Sequence, residues 1–146
     1  MTKIKTQTIS PQNENILIRL KRVESQFGYI PEESITEVAQ SLDLPVSEIY
    51  GVATFYSFLA TKSLGRNVIW VCQNLPCHLK HAEITIDNLE RILGIKPGET
   101  TSDNKFSLEL TNCIGACDYA PAMLINRDLH GNLTPNKISQ ILKLYK

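Results

Sequence analysis

The residues best suited to chemistry are the four cysteines of this 146-residue chain, Cys72, Cys77, Cys113 and Cys117. They form two pairs, with the spacings Cys-x4-Cys and Cys-x3-Cys, and a long segment separates the pairs. The polar residues 1–15 lack the apolar core of a secretory signal, which predicts a cytoplasmic protein. Because thiols stay reduced in that compartment, four cysteines indicate metal or redox chemistry rather than disulfide bonds.

The elements around the cysteines predict that the two pairs meet. Residues 68–71 form a short apolar run, typical of a buried strand, that ends at Cys72. An amphipathic helix over residues 82–93 follows, and then an alternating strand over residues 106–110. A strand–helix–strand unit prefers a right-handed crossover and parallel strands, so both strands end at the same edge of the sheet. Cys113 follows the second strand closely, and we therefore expect both cysteine loops at that edge.

The remainder of the chain predicts how this sheet is completed. Residues 123–126 indicate another strand, and Asp128 and Gly131 suit a segment that turns the chain back. Thr134 is predicted to cap a final helix whose first residue is Pro135. The order strand, helix, strand, strand, short strand, helix predicts a mixed four-stranded sheet of the thioredoxin-like type.

Four converging thiolates are the usual ligand set of a [2Fe–2S] cluster, in which each pair can hold one iron. Pro76 stiffens the first loop, and Gly115 and Ala116 allow the backbone to approach a bulky cluster. A structural zinc site and plain buried cysteines are the alternatives. Zinc ribbons more often use two-residue spacers, and the Cys-x-x-Cys typical of a redox dithiol is absent from the sequence.

Other candidate residues predict an electron carrier without catalytic groups. His78 directly follows Cys77 and is predicted to be a surface residue beside the site. The aromatic residues Phe55, Tyr56 and Phe58 are predicted to belong to a core or an interface rather than to a cofactor stack. The sequence contains no G-x-G-x-x-G or Walker-type phosphate loop, and no nucleophile–base arrangement stands out.

The first third of the chain predicts three short helices, so the fold class is α+β. Gly28 ends the first helix, Pro31 and Pro45 open the next two, and Val46, Ile49 and Tyr50 of the third are expected to face inward. The expected division is a small helical bundle for docking and assembly, residues 1–62, and a thioredoxin-like α/β domain, residues 63–146. Fifteen basic residues balance fifteen acidic ones, which predicts no nucleic-acid partner. No stretch approaches the roughly 18 to 20 apolar residues of a membrane span.

Several stretches resemble the small thioredoxin-like [2Fe–2S] subunit of NADH:quinone oxidoreductase, respiratory complex I. They are residues 50–58 (YGVATFYSF), 71–78 (VCQNLPCH), 94–101 (GIKPGETT) and 113–123 (CIGACDYAPAM). The resemblance runs from about Asn15 to Lys146. The same family includes the small subunits of NAD-linked [FeFe] hydrogenases, some of them electron-bifurcating, and of NAD-dependent formate dehydrogenases.

The resemblance implies one [2Fe–2S] cluster, ligated by Cys72, Cys77, Cys113 and Cys117. It implies an electron-transfer subunit that is not itself catalytic, beside a partner subunit carrying FMN and the NAD(H) site and beside further iron–sulfur subunits. Such a complex is cytoplasmic or membrane-associated, without direct membrane insertion of this chain. Leu75 occupies the position before Pro76 at which many relatives of this family have a hydroxyl residue. The second hypothesis is a zinc-stabilised interaction module without a redox role.

Overall fold

The computed structural model describes residues 15–145, and the chain divides into two compact units, residues 1–62 and 63–146. The first unit is helical, and the second contains a five-stranded mixed sheet with helices. None of the helices within residues 15–145 is long and apolar enough to cross a membrane.

The helical unit consists of α1 (Ile16–Phe27), α2 (Glu32–Leu42) and α3 (Val46–Phe55). Asn15 caps α1 through its side chain, which accepts the Ile18 N–H at 3.0 Å, and Gly28 ends it in the left-handed conformation. Pro31 and Pro45 are the expected first residues of α2 and α3. Both have extended backbones, so they occupy instead the cap positions that precede these helices. The buried core of this unit comprises Leu20, Ile30, Ile35, Val38, Ala39, Ile49, Ala53 and Leu59.

Helix α3 buries less of its surface than the sequence predicts. Of the three residues expected to face inward, only Ile49 is buried, whereas Val46 and Tyr50 are exposed. Phe55 is 77% exposed, and Tyr56 and Phe58 are exposed as well, so their assignment to a core is wrong. The cause is that α3 packs in this unit against α1 and α2 along one narrow stripe. The interface interpretation of these aromatic residues stays a prediction.

The second unit runs β1 (Asn67–Cys72), α4 (Leu75–Leu79), α5 (Ala82–Leu93), β2 (Glu99–Thr100), β3 (Phe106–Thr111), β4 (Met123–Ile125), β5 (Asp128–His130) and α6 (Pro135–Leu142). The strand order in the sheet is β2-β3-β1-β4-β5. Strands β1 and β3 are parallel, and the other three pairs are antiparallel. The mixed α/β class is confirmed, and the sheet has one strand more than expected because the two-residue β2 pairs with β3.

The hydrophobic core of this unit joins the sheet to α5 and α6. Its buried residues are Ile69, Val71, Leu89, Phe106, Leu108, Met123, Ile125, Leu133, Ile138, Ile141 and Leu142. Thr134 caps α6 as predicted, since its hydroxyl accepts the Lys137 N–H. The register pairs Cys72 with Thr111, so the parallel strands β1 and β3 end together. This shared edge positions the cysteine segments.

Candidate metal centre

The parallel pair of strands delivers the two cysteine segments to one edge of the sheet. Cys72 is the last residue of β1, and Cys113 comes two residues after the end of β3. Strand β4 starts beside them, because Met123 pairs with Val71. Cys72 and Cys77 share a buried cluster with Ala82, Ala116 and Ala122, which links both segments. The expected convergence of the two loops is therefore present in the structure.

The first pair of thiols is buried. Cys72 and Cys77 are 2% and 1% exposed, and both belong to one buried cluster. The sequence predicts an irregular loop around Cys77. The residue lies instead in the short helix α4, with Pro76 in the first turn of that helix. Burial raises the pKa of the Cys77 thiol to about 11, the neighbouring Cys72 thiol adds to this rise, and the Ala122 backbone opposes it. The Cys77 thiol is therefore protonated at neutral pH in metal-free protein.

The second pair of thiols is exposed to solvent. The Sγ atoms of Cys113 and Cys117 are 3.6 Å apart, much farther than the roughly 2.05 Å of a disulfide bond. The Gly115 N–H donates to Cys113 Sγ at 3.4 Å, and this bond, followed by that with Cys117, lowers the pKa of Cys113. The bond with Cys113 raises the pKa of Cys117. A pair with one thiol poised to ionise is suited to binding a cation.

Glycine makes the geometry of the exposed pair possible. Gly115 has φ +80°, in the left-handed region that side chains disfavour, and an added Cβ there would meet no atom within 4 Å. The left-handed residue interrupts any helix between Cys113 and Cys117. A short 3₁₀ turn, Cys117–Tyr119, begins only after it. The glycine therefore serves the turn that points an N–H at sulfur, and its predicted role in the approach of the backbone to a cluster stays a prediction.

The donor set fits an iron–sulfur cluster, in which each iron takes two cysteine sulfurs. Two sulfurs about 2.3 Å from one tetrahedral metal lie about 3.8 Å apart, close to the 3.6 Å between Cys113 and Cys117. The buried Cys72 and Cys77 form the other contacting pair. Cys72 and Cys117 also raise the pKa of Cys77 through charge, so the pairs are neighbours. Within residues 15–145, no group of three or more His, Cys, Asp or Glu side chains is arranged to hold one metal ion.

The histidines lie around this centre rather than in it. The His78 side chain is 63% exposed and contacts Glu83, with 3.3 Å between Nδ1 and Oε2. His81 precedes α5 in the left-handed conformation. His130 bonds through Nε2 to the Tyr145 hydroxyl at 2.8 Å, on β5. Its pKa is lowered, chiefly by burial. The surface position expected for His78 is the one observed.

Sequence reasoning missed one contributor, the main chain of Ala122. Its carbonyl accepts the Cys72 N–H at 3.3 Å, and its backbone lowers the pKa of the Cys77 thiol. No residue type encodes a main-chain contact, so only the arrangement of β4 beside β1 could have revealed it. Leu75 and Leu79 on α4 are also exposed, 66% and 68%, next to the buried thiols.

Comparison with known proteins agrees with this centre. A family model described as thioredoxin-like [2Fe–2S] ferredoxin matches residues 2–146. An NADH-quinone oxidoreductase subunit of Escherichia coli (strain K12) is 42% identical over 127 residues, covering 87% of this chain and 76% of that protein. The HndA subunit of the NADP-reducing hydrogenase of Solidesulfovibrio fructosivorans is 34% identical over 136 residues, with coverages of 92% and 80%.

A solved structure shares the fold. The NAD+-reducing [NiFe]-hydrogenase in the air-oxidized state superposes with a TM-score of 0.72 at 24% identity, over 92% of this chain and 24% of that one. This likeness concerns the fold alone, whereas the family match and the curated relatives span nearly the whole sequence. The expected resemblance to the small complex I subunit and to hydrogenase subunits is confirmed. The chain belongs to the thioredoxin-like [2Fe–2S] ferredoxin family.

Proposed function

We propose that this protein is the [2Fe–2S] electron-transfer subunit of an NAD(H)-linked flavoprotein oxidoreductase complex. Cys72 and Cys77 hold one iron, and Cys113 and Cys117 hold the other. The observation that carries this assignment is the division of four thiols into two contacting pairs at one sheet edge. When bound, the cluster accepts and donates single electrons. The family match supports an iron–sulfur cluster over the alternative of structural zinc.

The identity of the metal is tested directly on anaerobically purified protein. We expect a reddish-brown chain with about two irons and two acid-labile sulfides, the composition of this cluster type. A colourless chain with stoichiometric zinc would contradict the proposal. The same sample gives the reference EPR spectrum for every variant discussed below.

Electrons reach this cluster, in our proposal, from the FMN of a partner subunit. The exposure of Cys113 and Cys117 supports this route, because an exposed ligand pair brings the cluster edge within reach of another protein. Asp118 and Tyr119 are exposed beside the pair, and Leu75 and Leu79 are exposed beside Cys77. Exposed apolar side chains grouped on a surface are typical of a site of contact with another protein.

The route is tested by combining the chain with its flavin-bearing partner subunit and following the cluster by EPR after NADH is added. We expect reduction with the FMN-loaded partner and none with the partner stripped of FMN. Equal reduction in both samples would contradict the proposed route. The chain alone is expected to leave NADH unoxidised, since its sequence carries no nucleotide-binding loop. Steady NADH-dependent dye reduction by the pure chain would contradict that non-catalytic role.

The helical unit, residues 1–62, is proposed to serve assembly with another subunit of the complex. It contains no cysteine, and it exposes Tyr50 and Phe55 next to an apolar groove of about 610 Å³ between α1, α2 and α3. The relatives in oxidoreductase complexes support such a role.

A charged substitution tests this docking role without removing the unit. Phe55→Asp should weaken co-purification with the partner subunit while leaving the cluster spectrum unchanged, because the groove lies in the unit without cysteines. Leu144→Asp is the matched control, since Leu144 is 75% exposed in the other unit. Normal co-purification of the Phe55 variant, or equal loss in the control, would refute the role of this groove.

A further inference from the structure

The segment from Cys117 to Ala122 links the exposed thiols to the buried ones. At its start, Cys117 opens a 3₁₀ turn that is closed by the Ala120 N–H on the Cys117 carbonyl at 3.2 Å. At its end, Ala122 is 1% exposed, accepts the Cys72 N–H on its carbonyl at 3.3 Å, and shares a buried cluster with Cys72 and Cys77. The path of this segment therefore sets how far Cys117 lies from the buried pair.

A turn on the far side of this segment holds it in place. The Asn132 N–H donates to the Tyr119 carbonyl at 2.6 Å, and the Leu133 N–H donates to the Pro121 carbonyl at 3.2 Å. The two stretches pack so closely that a Cβ added to Gly131 would overlap Tyr119. Lys137 of α6 donates from Nζ to the Gly131 carbonyl at 2.5 Å, so the final helix supports the turn.

The turn depends on an unusual backbone conformation at Asn132. Its φ is +51°, in the left-handed region that asparagine and glycine tolerate and β-branched residues do not. Its side chain is exposed and lies outside the hydrophobic core of the unit. A substitution here consequently acts through the backbone of the turn and not through lost core packing.

We propose that Asn132 is a positioning residue for the [2Fe–2S] cluster. Its left-handed turn holds residues 117–122 so that Cys117 and Cys113 stay at the right separation from Cys72 and Cys77. This inference rests on the proposed function, because it presumes that the four thiols share one cluster. Asn132 touches none of the thiols itself, and it acts through the Tyr119 carbonyl.

Asn104 provides a matched control in the same unit. It is also exposed, its φ is +53°, and its N–H donates to the Thr101 carbonyl at 2.8 Å. It lies in the turn before β3, at the end of the sheet opposite the cysteines, because Cys72 and Thr111 end the parallel strands. A valine at either position meets the same backbone strain, but only one of the two turns supports a cysteine segment.

The experiment compares full-length wild type with N132V, N132A, N132G and N104V, each purified with its cluster. The readouts are the EPR spectrum of the reduced cluster, its midpoint potential, the rate of bleaching in a chelator, and the thermal midpoint. We expect N132V to show altered g-values, a shifted potential and about 10-fold faster bleaching. N132G should match wild type, because glycine adopts the turn without strain. N104V should lose thermal stability while keeping the wild-type EPR spectrum, potential and bleaching rate.

Wild-type EPR, potential and bleaching in N132V would overturn the inference, and so would equal changes in N104V. If N132V does not fold, N132A decides in its place, with smaller changes of the same kind expected. A wild-type chain that lacks two irons and two sulfides would overturn the proposed function, and this inference with it. A wild-type chain that carries its cluster beside an unaffected Asn132 variant would overturn this inference alone.

Discussion

The two cysteine pairs offer two sulfur atoms each, and their surroundings are opposite. Cys72 and Cys77 are buried among alanines, and burial raises the pKa of Cys77. Cys113 and Cys117 face solvent, and a backbone N–H lowers the pKa of Cys113. The first pair lies on a strand end and a helix, whereas the second lies on a glycine-containing turn.

Because of this difference, the buried pair can hold one side of the proposed cluster in the core while the exposed pair leaves the other side accessible to another protein. The buried pair is tied to the core of the sheet through β1 and the Ala122 main chain. The exposed pair leaves an edge at which another protein can approach. In the proposed ligand set, binding and electron exchange thus fall to different halves, and each half can be altered separately.

The largest expected effect breaks the ligand set. Cys77→Ser and Cys113→Ser should each lose most of the cluster, because in the proposed ligand set each pair supplies both thiolates of one iron. The loss is measured as bound iron, acid-labile sulfide and the EPR signal. The metal-free variants should differ in stability. A hydroxyl in the buried site costs about 1–3 kcal/mol, whereas the exposed replacement changes the free energy of unfolding by less than about 0.5 kcal/mol.

Urea unfolding of the metal-free variants measures that contrast, with metal-free wild type as the reference. Full retention of the cluster in either serine variant would remove that cysteine from the ligand set. Equal stability losses in both variants would contradict the distinction between a buried and an exposed pair.

A second prediction concerns thiol reactivity in metal-free protein. At pH 8, a thiol of pKa about 11, as for Cys77, is only about one part in a thousand thiolate, and thiolate is the reactive form. Iodoacetamide should therefore label Cys113 first and Cys77 last, as read by peptide mass spectrometry. Labelling of Cys77 should rise about tenfold per pH unit between pH 8 and 10. Comparable rates for the two residues at pH 8 would contradict the comparison.

The same raised pKa predicts a pH dependence of stability. The Cys77 pKa lies above its ordinary 9.0, so folding favours the protonated thiol. The resulting stabilisation is fully present below pH 9 and is lost as the pH rises through about 11. Unfolding of metal-free wild type should therefore become easier across that window, and Cys77→Ala should lack this component.

A third prediction uses two glycines to separate the effect of backbone strain from that of a hydrogen bond to a cysteine sulfur. Gly115 and Gly94 have φ of +80° and +70°, and an added Cβ would meet no atom within 4 Å at either position. Alanine at each site should cost about 1 kcal/mol of stability through the backbone alone. Of the two variants, Gly115→Ala alone should also shift the midpoint potential. Strain at residue 115 displaces an N–H that donates to a cysteine sulfur, whereas the Gly94 N–H donates to the Glu90 carbonyl. A potential shift of the same size in Gly94→Ala would mean that strain, not the sulfur hydrogen bond, sets the potential.

The sequence predicts where the cysteine segments lie better than it predicts which side chains are exposed to solvent. Alternation and helix periodicity predict β1, α5, β3 and α6, and parallel pairing then brings the cysteine segments together without further information. Exposure is harder to predict, because it depends on what covers a surface. Val46 and Tyr50 have the pattern of buried residues and nevertheless lie exposed. The exposure of Leu75 and Leu79 was not predicted for the same reason.

Short elements and main-chain contacts are the other features that the sequence leaves out. The two-residue strand β2 has no periodicity, and it exists only because β3 offers it hydrogen-bond partners. Helix α4 is five residues long, too short for its apolar pattern to differ from that of a loop. The hydrogen bond to the Ala122 carbonyl uses a backbone group that every residue carries. These features require the assembled sheet.

The smallest expected effect concerns His78, which lies beside the buried pair without belonging to it. Its side chain is 63% exposed, and its partner Glu83 is 57% exposed. An exposed ion pair of this kind contributes at most about 1 kcal/mol, and often far less, since solvent screens it and two side chains must be ordered. We expect His78→Ala to change the free energy of unfolding by less than about 0.5 kcal/mol and to leave the EPR spectrum and the midpoint potential unchanged. Glu83→Gln is the matched control, because it removes the same pair from the other side. If His78→Ala moves the potential and Glu83→Gln does not, then the imidazole itself acts on the cluster, and the buried pair is less isolated from solvent-exposed groups than its surroundings indicate.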